Sequence, residues 1–455
     1  MKEMKKIMTL IAALVTMTVT AQSYDQMKPF GFCTVSSRTD ASSTYDCTGG
    51  GCYTYPVRSD FTGKVVVLKS TGQDMKSTIE STIKNSQNKV IVLDGSDGDF
   101  IVSSNIGITS SNKTILGINN ARLCTKWQMT DEIKAALDAA GVTKMSTSSG
   151  TGGTLSNGQS VSEEAEYHTR QTIIDLTGDK NESYRNSGLL SLSGCKNIII
   201  RNLTLVGPGA VDVSGKDLIS ATNGASNIWV DHCTFQDGMD GNFDITTKSD
   251  FFTVSWCVFT YTDRSYMHQN TNLIGSSDSE ATGYLNTTFA FNWWSTGCKQ
   301  RMPMARVGKI HMLNNYFTST TASNCINPRK NSEFLIEGNY FEAGVKRYYS
   351  QSSATAVTWA TSNHAVESNS LGTIKNVGST VTVPYDYTVA TATDIPSVIQ
   401  ELAGATLTFS DTPSGITGIV NATKADSKRY NLKGQLVDEH YKGIVIVNGR
   451  KIMVK

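Results

Sequence analysis

The chain has 455 residues, enough for one long domain or roughly two to three ordinary ones. Its formal charge is +1 and only 18% of its residues are charged, so nothing points to nucleic acid or an anionic membrane as a partner. Abundant Gly, Ser, Thr and Asn favour turns and β-structure over helix bundles. Residues 1–21 read as a secretory signal. Lys2, Lys5 and Lys6 are its basic part, 8–19 its apolar core, and Val19-Thr20-Ala21 a small-residue cleavage site before Gln22. The apolar run is too short to span a bilayer, and no later stretch is long enough. An exported chain places the nine cysteines in an oxidising setting. Cys33, Cys47 and Cys52 lie close enough in sequence for a local bridge, while the odd count leaves at least one thiol free or paired between molecules.

Residues 64–68, 89–93 and 113–117 are short apolar strands. Residues 75–85 are helical, with Met75, Ile79 and Ile83 four apart. A second helix is expected over 131–140, inside an insertion, and 146–158 reads as a Ser/Gly/Thr-rich loop. One convincing helix is too few for a doubly wound sheet.

From Lys196 the pattern repeats. Six segments end on Leu205, Phe235, Phe259, Trp294, Phe317 and Phe341, at intervals of 30, 24, 35, 23 and 24 residues. A period near two dozen residues with occasional insertions indicates a solenoid, each unit burying its apolar face only by stacking on its neighbours. The position two residues earlier reads Leu203, Cys233, Cys257, Asn292, Asn315 and Asn339. The three asparagines predict a side-chain amide ladder, and Cys233 and Cys257 are expected as stacked, reduced core thiols. Propeller blades need about 40–50 residues and the leucine-rich pattern is absent, so the fold class is all-β, a right-handed parallel β-helix. After Phe341 the repeats fade, a short helix is expected over 395–403, and alternating strands around Asn448-Gly449 read as a hairpin. The expected division is a signal over 1–21, the β-helix over 22–405, and a linker and small C-terminal β module over 406–455.

Residues 227–235, 240–259, 273–278 and 301–317 carry acids and arginines set into this pattern, and in order they resemble the pectate lyase family. The nearest group is the extracellular, calcium-dependent lyases of polysaccharide lyase family one. The likeness extends over most of 30–404, and the tail from about residue 415 resembles short C-terminal modules of secreted Bacteroidetes proteins, some used for sorting. The resemblance implies cleavage of polygalacturonate by β-elimination, with Ca2+ as cofactor. It implies metal ligands at Asp217, Asp240 and Asp244, a hard-oxygen set suited to an ion that takes about six to eight oxygens. The family acid two residues before Asp217 is replaced by Gly215, which implies weaker metal binding or a metal shared more with substrate. Arg301 and Arg306 match the family's paired arginines, the first as base and the second as substrate or intermediate contact. Because a guanidinium normally stays protonated, charge stabilisation by Arg301 competes with the base role. The family's usual lysine three residues before Leu273 is here Asn270, which is expected to bind substrate together with Arg264 and His268, the candidate substitutes for that lysine.

Asp231 and His232, adjacent on a strand and so expected on opposite faces, read as structural. His311 is expected to make a core hydrogen bond, and Trp256, Trp293 and Trp294 to pack in the core. Three readings stay open: a calcium-dependent lyase, a non-catalytic polyuronate-binding β-helix, and a β-helix hydrolase or pectin lyase. A hydrolase normally needs two flanking carboxylic acids, which Asp240 and Asp244 supply, but it leaves the arginines unexplained. The expected partner is pectate, with no nucleic acid, no membrane span and a monomeric, secreted state.

Overall fold

The structure is a computed structural model and describes residues 28–142, 151–211, 215–367 and 376–409, with the backbone of four strands in the tail. The signal expected over 1–21 and linker residues 410–428 lie outside the described residues.

The short apolar runs become strands of three parallel sheets. The first holds ten strands, Lys64–Lys69, Asn88–Asp94, Lys113–Ile118, Lys196–Arg201, Ser226–Asp231, Asp250–Ser255, Thr287–Ala290, Lys309–Leu313, Glu333–Glu337 and Ala356–Trp359. The second holds nine, among them Thr204–Val206, Thr234–Gln236, Val258–Thr260, Trp293–Trp294, Tyr316–Phe317 and Tyr340–Phe341. The third holds seven, Ile106–Ile108, Leu190–Ser193, Ile219–Thr222, Phe243–Ile245, Leu273–Ile274, Met304–Ala305 and Asn327–Pro328. From Lys196 each turn of chain contributes in order to the first and second sheets and, as far as Asn327–Pro328, to the third. This is a right-handed parallel β-helix, the hand that parallel crossovers adopt.

The aromatic column lies in register as the spacing required. Leu205 pairs with Phe235, Phe235 with Phe259, Phe259 with Trp294, Trp294 with Phe317 and Phe317 with Phe341. Consecutive rings stack at 4.8, 5.4, 4.8 and 4.6 Å between centroids. The column does not stop at Phe341: Ala365 pairs with Phe341, and a further turn through Ala356–Trp359 and His364–Ala365 caps the stack.

Between the first and second sheets the corner is one residue in left-handed conformation. Asn202, His232, Trp256, Phe291 and Asn314 have φ of 58, 48, 53, 56 and 51°, and Gly338 follows at 64°. The next residue on each turn begins the buried column. Asn292 Nδ2 donates to Asn315 Oδ1 at 3.1 Å, Asn315 Nδ2 to Asn339 Oδ1 at 2.9 Å, and Asn339 Nδ2 to Asn363 Oδ1 at 2.9 Å. The ladder is therefore one rung longer than the sequence pattern showed. Cys233 and Cys257 occupy the preceding rungs as free, buried thiols.

The left-handed corner also corrects the reading of Asp231 and His232. Strand alternation ends at His232, so its Nδ1 lies 2.7 Å from Asp231 Oδ2 instead of on the opposite face. The pair is nonetheless structural. Both residues are fully buried, Arg201 Nε donates to Asp231 Oδ2 at 2.8 Å, and Ser255 Oγ donates to Asp231 Oδ1 at 2.7 Å. Burial disfavours the charge on Asp231, but His232 and Arg201 outweigh it and hold the carboxyl below its usual range. His311 makes the expected core contacts, Nε2 to Glu337 Oε1 at 3.0 Å and Nδ1 to Tyr385 OH at 2.8 Å. Trp294 is fully buried, and Trp256 packs with Tyr316 and Trp293 under helix Ile395–Leu402. No bridge links Cys33, Cys47 and Cys52: all nine cysteines are free and buried.

The insertion after Arg122–Thr125 carries helix Asp131–Ala139, a two-stranded ribbon of Gly153–Thr154 and Ser160–Val161 where a plain loop was expected, and helix Glu164–Thr177. It forms a core of its own with Met239 and Tyr266. Tyr266 OH donates to Asp138 Oδ1 at 2.9 Å and Lys134 Nζ to Asp263 O at 2.7 Å. The insertion thus braces the chain leading to Asp240 and His268. The described residues divide into two units, one ending at Asp411 and one over Thr412–Lys455. In the second, Gly443–Val447 and Arg450–Val454 pair antiparallel, with Arg429–Asn431 and Leu436–Val437 completing a four-stranded sheet. No helix among the described residues is long and apolar enough to cross a membrane.

Buried Asp250 accepts hydrogen bonds from Phe251 N, Asn286 N and Asn286 Nδ2, yet desolvation pushes its carboxyl up to about 6. The folded state then holds this proton more tightly than the unfolded chain, so the penalty grows as pH rises from about 4 to about 6 and persists above. Asp250→Asn keeps the accepting oxygen and removes the charge. It should raise Tm relative to the parent at pH 8, by the equivalent of about 1–3 kcal/mol, and leave it unchanged at pH 4. Thermal melts at the two pH values check this; an equal shift at both excludes the charge as the cause.

Candidate active site

The chain passes from the second sheet to the third through loops of unequal length, and the candidate residues lie in these loops or in the strands they enter. Asp217 stands just before Ile219–Thr222, Asp240 in the turn before Phe243–Ile245, Asp244 within that strand, and Arg301 just before Met304–Ala305. In Phe243–Ile245 the two apolar residues point inward, which leaves Asp244 on the outer face beside its register partner Ser220.

Asp217 and Asp244 are brought together, with the charge of Asp240 near enough to act on both. A Cβ on Gly241 would lie 2.9 Å from both Asp217 Oδ1 and Asp244 Oδ1, so only glycine leaves room between the two carboxylates. Ser220 Oγ donates to Asp217 Oδ2 at 2.8 Å, and Leu273 N donates to Asp244 Oδ1 at 3.0 Å. Asp217 Oδ1 is buried with no hydrogen-bond partner among the described residues. Burial, then the Asp240 charge, pushes Asp217 up to about 7. Burial, then the Asp217 and Asp240 charges, holds Asp244 well above the usual carboxylate range. Arg301 opposes both shifts, which places its positive charge beside this cluster. Its backbone carbonyl accepts from Asn272 N at 2.8 Å, and its φ of 60° turns the chain there.

These observations fit a divalent cation. Repelling carboxylates, an orphaned carboxylate oxygen and a glycine cradle are what a hard ion would relieve and occupy. Among the described residues no three acidic, His or Cys groups converge as a ready-made metal set. Asp240 is turned away: its Oδ1 lies 2.7 Å from His268 Nε2. Asp217 and Asp244 would hold the ion, with Asp240 joining on release from His268.

Of the residues considered in place of the missing lysine, His268 reaches Asp240 and Arg264 does not. Arg264 Nη1 donates to Gln128 Oε1 and, at 3.4 Å, to Gly207 O, so it ties the 262–268 loop to the insertion. Asn270 is buried, with its amide 3.0 Å from His268 Nε2 and its carbonyl accepting from Tyr261 OH. It packs behind His268. Arg306 is close to its expected place but already engaged: Nε donates to Asp278 Oδ1 at 2.9 Å and Nη1 to Gly275 O at 2.8 Å. Sequence reasoning missed Asp278, Ser220 and Gly241. Gly241 carried a signal, since a glycine between two acids marks a close approach.

The site is thus a carboxylate cluster with a neighbouring arginine on one face of a parallel β-helix. Residues 125–407 match the family model described as pectate lyase, and the chain belongs to that family. Probable pectate lyase A of Neosartorya fischeri is 33% identical over 226 residues, which cover 47% of this chain and 64% of that protein. A pectate trisaccharide-lyase of Bacillus licheniformis is 31% identical over 256 residues, covering 52% of this chain and 70% of that one. The match to the first of these relatives therefore spans less than two thirds of its length. The crystal structure of a pectate lyase from Bacillus sp. N165, in complex with trigalacturonate, superposes with a TM-score of 0.50 at 18% identity, over 83% of this chain and 98% of that one. That likeness concerns the fold.

Proposed function

We propose that this protein is a secreted, calcium-dependent pectate lyase that cleaves polygalacturonate by β-elimination to unsaturated oligogalacturonides. The observation that carries the reading is the pairing of Asp217 and Asp244, with the Arg301 charge beside them, along one sheet in a chain of this family. When bound, calcium would neutralise the uronate carboxylate and ease ionisation of the adjacent carbon. In the reaction the proton leaves C5, its electron pair forms the C4–C5 double bond, and the C4–O bond breaks with a proton taken up by the leaving oxygen. Asp217 and Asp244, with Asp240, anchor the cation end of this arrangement. Arg301 faces the reacting carbon as proton acceptor or as clamp on the developing charge. Arg306 contacts a substrate carboxylate, and His268 takes the side of the cluster left by the missing lysine.

Incubation of polygalacturonate with the protein should yield ultraviolet-absorbing unsaturated product, and a chelator should abolish it until calcium is restored. Asp244→Asn should raise the calcium needed for half-maximal rate by about ten-fold or more, the scale of one lost ligand charge, with little loss of Tm. Calorimetry with calcium and oligogalacturonate is the independent check; unchanged calcium binding in Asp244→Asn excludes this site. Asn270 favours a second reading, a polyuronate-binding protein without turnover, because no lysine stands at that position. Absence of product at every calcium concentration selects it. Export is read by N-terminal sequencing of secreted material, expected to begin near Gln22.

A further inference from the structure

Arg306 is held on two edges by a loop that has no assigned role. Its backbone N donates to Ile274 O at 2.8 Å, its Nη1 to Gly275 O at 2.8 Å and its Nε to Asp278 Oδ1 at 2.9 Å. The loop is built to make this contact. Gly275 has φ of +85°, and a Cβ there would sit 3.2 Å from both Arg306 Cβ and Leu285 Cδ1, so the turn passes against Arg306 only as glycine. Glu280 Oε1 then pins the loop, accepting from Ser276 N at 3.1 Å, Ser276 Oγ at 3.0 Å and Thr247 N at 3.0 Å. The exposures are unequal: the Arg306 side chain is 15% exposed and Asp278 58%. An ion pair with one partner so exposed contributes little to stability, so its effect on folding and its effect on the arginine can be read separately.

We propose that Asp278 is a positioning residue for Arg306, fixing the guanidinium so that Nη2, which has no protein partner among the described residues, is presented to a uronate carboxylate. A guanidinium free to rotate would have to be ordered when substrate binds; one already held on Nε and Nη1 has that ordering done. The proposal rests on the pectate lyase reading and deepens it, since it assigns Arg306 to substrate capture.

The test uses the mature full-length protein with saturating calcium and polygalacturonate. Asp278→Asn should raise KM by about ten-fold, the scale of a modestly misplaced binding group, with kcat within about two-fold and Tm unchanged. Asp278→Glu should restore most of the loss. Glu280→Ala, which keeps the Asp278 charge but loosens its loop, should move KM in the same direction. A KM unchanged in Asp278→Asn overturns the proposal, as does a fall in Tm that accounts for the activity lost. A KM unchanged in Glu280→Ala shows that charge alone, not placement, matters, and overturns positioning. If the parent protein yields no unsaturated product, the lyase reading fails by itself. Calorimetric binding of oligogalacturonate then decides between Asp278→Asn weakening it, which supports the role, and equal affinity, which excludes it.

Discussion

Arg301→Lys should lose most turnover while still binding polygalacturonate. The substitution keeps one positive charge beside Asp217 and Asp244, so the acidic cluster is not left uncompensated. What it removes is the planar fork and the reach of the guanidinium. If that group accepts the proton or clamps the developing charge, the barrier should rise by about 3–4 kcal/mol, a few hundred-fold in rate. The loss should fall on kcat, because the interaction strengthens only as charge develops. Arg306→Lys should be milder and fall on KM. Near-parental elimination by Arg301→Lys, measured by initial rates of unsaturated product, rules out this assignment.

The largest stability effect is expected in the amide ladder, at Asn315→Leu. Asn315 Oδ1 accepts from Asn292 N at 2.9 Å and from Asn292 Nδ2 at 3.1 Å, and Asn315 Nδ2 donates to Phe289 O and to Asn339 Oδ1, each at 2.9 Å. Leucine has nearly the same size but makes none of these bonds. It strands a backbone N–H and a carbonyl in fully buried surroundings, and each such orphan costs about 1–3 kcal/mol. A total loss of at least about 3 kcal/mol is expected. Asn363→Leu, at the partly exposed end of the ladder, should lose less. Denaturant unfolding of both variants gives the comparison, and equal, small losses would mean that the ladder does not act as a unit.

The stacked column was legible because a parallel β-helix repeats its chemistry once per turn. Phe235, Phe259, Trp294, Phe317 and Phe341 could be aligned by size alone. The final turn escaped because its column residue is the small Ala365, although Asn363, two residues earlier, continues the amide pattern. Helix Glu164–Thr177 escaped because one of its inward residues is charged. Buried Arg170 donates from Nη2 to Glu182 Oε2 at 2.7 Å, so the helix lacks a clean apolar stripe. The contact of Asp231 with His232 was misjudged because alternation is a rule for extended backbone, and His232 has left it. The acids of the site were readable as residue types at known motif positions. The pairing of Asp240 with His268, and of Arg306 with Asp278, was not, since it depends on how far loops of unequal length reach back across neighbouring turns.

The three corners of the coil are not equivalent. One is locked, with a left-handed residue and a buried amide or thiol on nearly every turn from 202 to 339. The corner between the second and third sheets takes up the long insertion after Thr125 and the loop over 261–272. Chain added there lengthens the path without shifting any strand pairing, because register is set at the other end of the turn. A lineage of such proteins can therefore rework these loops by insertion, deletion or exchange while the hydrogen-bonded spine stays as it was. Change in the loops and persistence of the scaffold are inherited through separate stretches of the same turn. Grafting the loop over 261–272 from a relative with different substrate preference should accordingly transfer preference with little change in melting temperature.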